Sequence, residues 1–110
     1  MTVHVAIQLG GRDFSCVPLH DAEFSDPTAV YAVVSIGPAN NYQVLDIGQG
    51  DHRGISMNEP SRRHSWVRLC EFDNVWVGVL PMPAGKFERE ERLRLVQGLR
   101  MQYKPPCGAD

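Results

Sequence analysis

A chain of 110 residues with 43% apolar and 22% charged residues can bury a core of its own as one domain, which excludes a disordered tail or a fragment needing a metal staple. The formal net charge of −2 lacks the basic excess that supplies non-specific affinity in dedicated nucleic-acid binders, so any such contact would need a local patch. Cys16, Cys70 and Cys107 are odd in number and widely spaced, which argues against a disulfide framework or a CxxC zinc site and predicts reduced thiols.

Val3, Val5 and Ile7 alternate with His4, Ala6 and Gln8, the pattern of a half-buried strand rather than a signal peptide. No apolar run approaches the ~20 residues that span a bilayer. Together these features predict a cytoplasmic protein without a membrane role. Gly10-Gly11 offers the positive φ values of a tight hairpin turn, with Phe14, Cys16, Val17 and Leu19 in the return strand. Residues 20–27 read as a loop ending at Pro27, and residues 28–36, rich in β-branched side chains, as a buried strand. After a turn at 37–41, residues 42–48 form its antiparallel partner.

A glycine-broken loop follows at 49–54. Pro60 then opens a helix of about three turns whose apolar stripe would be Trp66, Leu69 and Cys70. Val75–Leu80 reads as another strand. The last helix spans about 87–103, with Glu88, Glu90 and Glu91 in its first turn and Leu95, Val96, Leu99 and Tyr103 on one face. Pro105-Pro106 ends it. The order β-β-β-β-α-β-α, with helices late, predicts an α+β single domain over residues 1–110, its mainly antiparallel sheet flanked by helices. An N-terminal hairpin and loop occupy 1–27. The first strand offers an unpaired edge, a route to a homodimer.

Ala29-Val30-Tyr31, then Asp46-Ile47-Gly48, then a glycine loop, a helix, a strand and a helix, resemble the GIY-YIG endonuclease fold over residues 28–108. The segments Glu91-Arg92-Leu93-Arg94-Leu95, Leu99-Arg100-Met101-Gln102-Tyr103 and Lys104-Pro105-Pro106-Cys107 are similar to a bacterial branch of that fold, in which the last helix ends in a tyrosine and a proline-rich cap. The resemblance implies a tyrosine that helps activate water, an arginine that stabilises charge on the phosphate, and a late-helix glutamate that holds a divalent metal. Tyr31 matches the first tyrosine. Asp46 replaces the second. Arg53 is the nearest arginine after Gly48, and Gly54 is the alternative occupant of the matching place. Val96 stands at the glutamate position, and Gly108 where relatives often place asparagine. Valine cannot ligate a cation. The candidate catalytic residues are therefore Tyr31, Arg53 and Asp46, with no metal site.

Arg53, Arg62, Arg63 and His64, with Arg68 nearby, form a candidate phosphate-facing patch. The basic residues of the last helix read instead as a solvated surface with Glu88–Arg92 and Glu90–Arg94 pairs. The plainer readings make Tyr31 a core tyrosine, Asp46 a strand-end turn residue, and the isolated histidines surface groups. Trp66, Trp76 and Phe72 read as core anchors rather than base-stacking platforms. Three functions follow. One is a degenerate, non-cutting nuclease-like domain that binds nucleic acid weakly or binds a protein partner, with no cofactor. The second is a metal-dependent endonuclease, with Mg2+ or another divalent ion, that uses Tyr31, Arg53 and a recruited carboxylate such as Asp46, Asp51 or Glu59. The third is a structural or interaction protein with no nucleic-acid role.

Overall fold

The computed structural model describes residues 3–24, 28–50, 57, 59–82 and 88–108. Its elements are β1 (Val5–Leu9), β2 (Arg12–Pro18), β3 (Ala29–Ile36), β4 (Tyr42–Gln49), α1 (Pro60–Leu69), β5 (Trp76–Pro81) and α2 (Glu88–Tyr103). The five strands form one antiparallel sheet in the order β1-β2-β5-β3-β4, so the predicted α+β class holds. No helix among the described residues is long and apolar enough to cross a membrane.

The β1–β2 hairpin turns at Gly10 (φ +57°) and Gly11 (φ +77°), the two-residue turn in which both positions need the left-handed region. β3 is the central strand, paired to β4 on one side and β5 on the other, and seven of its eight residues are buried. A strand covered on both faces is nearly continuous in apolar residues, as Ala29-Val30-Tyr31-Ala32-Val33-Val34 is.

The alternation of β3 separates two cores. Val30, Ala32 and Val34 face an inner core with Leu9, Phe14 and Cys16 from the hairpin and Val96 and Leu99 from α2. Ala29, Tyr31 and Val33 face the opposite core with Phe24, Trp66 of α1 and Cys107. The sheet curls around the inner core until its two terminal strands approach. The Tyr42 hydroxyl of β4 donates to Gln8 O of β1 at 3.0 Å. The Gly10 amide donates to the Tyr103 hydroxyl at the end of α2 at 3.1 Å, which ties the hairpin to that helix.

Candidate functional site

The β3–β4 pairing carries a β-bulge. Val33 opposes Asp46 and Val34 opposes Val44, which leaves Leu45 without a partner across the ladder. An extra residue breaks the two-residue alternation of side chains. Val44 and Ile47 accordingly both reach the inner core, three residues apart, while Leu45 joins the outer one. Asp46 is thereby delivered to the α1 face, completely buried.

A buried carboxylate is tolerated only when donors replace the water it gave up. α1 supplies most of them. Pro60 starts the helix, and Arg62 and Trp66, one turn apart, are its two buried residues. Arg62 binds Asp46 side-on: Nε donates to Oδ2 at 2.6 Å and Nη2 to Oδ1 at 2.8 Å. Trp66 Nε1 donates to Oδ2 at 2.8 Å. The fourth donor comes from α2. Arg100 reaches the edge of β4, where Nη1 donates to Asp46 Oδ1 at 3.1 Å and to Ile47 O at 2.8 Å, while Nη2 donates to Cys107 O at 3.0 Å. Each carboxylate oxygen accepts two hydrogen bonds, which uses its lone-pair capacity in full.

Residues 104–108 close over this cluster. Cys107 N donates to Leu45 O at 3.0 Å. Gly108 (φ +68°) packs directly on the ion pair, where an added Cβ would collide with Arg62 Nη2 and Asp46 Oδ1. Burial, and secondarily the Asp46 charge, push the Cys107 thiol pKa up. Two guanidiniums share one carboxylate, so the cluster carries one net positive charge.

Of the residues predicted for a catalytic centre, Tyr31 and Asp46 lie on the same face of the sheet, both buried. Asp46 is not a strand-end turn residue but the buried centre of this ion-pair cluster. Tyr31 faces the same side but is buried, its ring 5.0 Å from that of Phe24. Val96, at the position expected for a metal-binding glutamate, packs in the inner core on the opposite face. Arg53, Gly54 and Asp51 lie outside the described residues. Glu59 is exposed just ahead of α1.

The predicted phosphate-facing patch is also altered. Arg62 is withdrawn into the protein by Asp46, Arg63 is half-buried, and His64 and Arg68 are exposed. The predicted Glu88–Arg92 surface pair gives way to a buried Arg92, whose Nε donates to Gln49 Oε1 at 3.1 Å.

Sequence reasoning missed the roles of Arg100, Trp66 and Gly108 at Asp46. One signal was present. An aspartate set among Val44, Leu45 and Ile47 in a strand needs buried donors, and Arg62 and Trp66 stand one helical turn apart. Among the described residues no three histidine, cysteine or acidic side chains gather as a metal site. No family model matches the chain, and neither a curated protein nor a solved structure shows significant similarity to it.

Proposed function

We propose that this chain is a GIY-YIG nuclease-like domain that does not cut nucleic acid and serves as a protein-binding module. The element order β3-β4-α1-β5-α2 supports the resemblance. The observation that carries the loss of cleavage is the saturation of Asp46. Its four acceptor positions are filled by Arg62, Trp66 and Arg100. A divalent cation placed there would have to displace two guanidiniums and suffer their repulsion. Tyr31 is buried and Val96 lies in the opposite core, so neither stands at Asp46 as a water-activating group or a metal ligand.

A protein partner suits the exposed surface better than a phosphate backbone, because the basic run 62–64 has lost its first arginine to the interior. Three free thiols fit a reducing compartment, in keeping with a cytoplasmic location. The test is incubation of the purified protein with supercoiled plasmid and Mg2+ or Mn2+. The expected outcome is no nicking above a metal-free control. Nicking that EDTA abolishes would overturn the reading.

A further inference from the structure

On the side of α2 turned away from the Asp46 cluster, Glu91, Arg94, Leu95, Gly98 and Gln102 recur at helical spacing and line a cavity of about 500 Å3. Its other wall is the tip of the β1–β2 hairpin. That tip sits hard against the helix: a Cβ on Gly10 would come within 2.7 Å of Leu99 Cδ2 and 3.6 Å of Gln102 Oε1. Leu95, Leu99 and Met82 make the lining apolar, and Arg12 of β2 and Arg94 of α2 make it basic.

Gly98 is the feature that points to an occupant. It lies in the interior of a 16-residue helix, where glycine costs stability relative to alanine because it has more backbone freedom to lose. Its backbone is helical, so its conformation does not call for glycine. Packing does not call for it either. Where Gly10 has no room for a side chain, a Cβ on Gly98 would meet no packed atom within 4 Å. The space that a side chain would fill belongs to the cavity. A bare backbone at that position lets a molecule from outside the chain approach closely.

The charges define the class of that molecule. Among the described residues Arg12 and Arg94 have no ion pair or hydrogen bond, and the Glu90–Arg94 pair expected from the spacing does not form. With Glu91, the lining carries one net positive charge in a chain whose net charge is −2. Two free guanidiniums suit a carboxylate head, and Glu91 opposes the second charge of a phosphate. No aromatic ring stands among the described lining residues, so a nucleobase has nothing to stack on. Leu95, Leu99 and Met82 suit an aliphatic body, and the volume is that of a small-molecule site.

We propose that the cavity between the hairpin tip and α2 binds a small aliphatic carboxylate, with its head between Arg12 and Arg94 and its chain laid over Gly98.

The probe is octanoate, titrated into the intact protein and read by calorimetry and by backbone amide shifts. Saturable binding is expected at about 1 mM or below, with shifts centred on Gly10, Leu95 and Gly98. Octylammonium keeps the chain and reverses the charge, and acetate keeps the head and removes the chain. Each should bind at least about tenfold more weakly, and octyl phosphate no more tightly than octanoate. Gly98→Leu should fill the notch and weaken binding by about tenfold or more, with a thermal midpoint unchanged or raised because leucine is the better helix former. A glycine kept only for the fold would give the opposite pair of results. Arg94→Glu, at an exposed position, tests the head group without touching the notch and should also weaken binding by about tenfold. No saturable binding in this range, octylammonium binding as well as octanoate, tighter binding of octyl phosphate, shifts centred elsewhere, or undiminished affinity in folded Gly98→Leu would each overturn the proposal. None of the groups at Asp46 takes part, so this site and the absence of cleavage stand or fall separately.

Discussion

On the α1 face of the sheet, three buried or nearly buried charged side chains form a closed set, in which Asp46 accepts from Arg62 and Arg100 and every carboxylate lone pair is used. On the α2 face, Arg92 is 4% exposed, its Nε donates to the neutral amide of Gln49, and its Nη1 is buried without a hydrogen-bond partner among the described residues. Both faces bury arginine, but among the described residues only the α1 face gives it a counter-charge. A desolvated guanidinium is tolerable when a carboxylate and several acceptors replace water and costly when they do not. The difference separates a cluster that joins α1, α2 and the 104–108 segment from a cation whose one recorded partner is a neutral amide.

The largest effect expected from breaking that contrast is at Asp46. Asp46→Ala removes the shared acceptor and leaves two guanidiniums and an indole N–H facing a cavity, at a cost of about 3–5 kcal/mol. That is a large share of the about 5–15 kcal/mol available to such a domain. Urea unfolding should show a midpoint displaced far downward or no folded baseline. A loss below about 1 kcal/mol would mean that the cluster is not the anchor of the α1 face.

Arg92→Met should act in the opposite direction. Methionine fills a similar volume without a charge to desolvate, and we expect a gain of about 1 kcal/mol in the same experiment. A comparable loss would show that Arg92 has found a compensating partner after all.

The smallest effect concerns the two buried thiols, one on each side of the sheet. Burial raises the Cys16 pKa from its ordinary 9.0 to about 11, and Cys107 shifts in the same direction. The unfolded chain loses the Cys16 proton near 9, whereas the folded chain keeps it until about 11. Between these values the unfolded state binds fewer protons, so stability is full below pH 9 and falls as pH rises toward 11. Cys16→Val should flatten part of that decline in alkaline urea titrations. An unaltered slope would assign the decline to other groups.

The architecture was legible because it rests on apolar periodicity and turn chemistry. Gly10-Gly11, the β-branched run of β3 and the acidic first turn of α2 each announced their conformation, and the observed strands differ from the expected ones by a residue or two at their ends. Buried charge was not legible, because charged residues are read as surface. A basic run over 62–64 steps around a helix by about 100° per residue, so one of its members must face the sheet. Local pattern could not say which, since the choice is made by Asp46, sixteen positions earlier in the chain. Asp46 was opaque for a related reason. Its orientation depends on the bulge at Leu45, a register slip between two strands that neither strand's own alternation reveals. The predicted stripe of Trp66, Leu69 and Cys70 failed at Leu69, which is largely exposed, because Arg62 had taken the inward position one turn before Trp66.

Two carbonyls on the outer border of β4 are taken up by groups that lie far along the chain: Leu45 O accepts from Cys107 N and Ile47 O from the Arg100 side chain. A bare strand border is a template on which other chains can add. Because the ribosome makes β4 long before residues 100–107, every nascent copy passes through an interval in which this border stands open. The order of synthesis thus favours holding the early hairpins apart until the last helix emerges, and proteolytic trimming before Cys107 would return a finished molecule to the same adhesive condition.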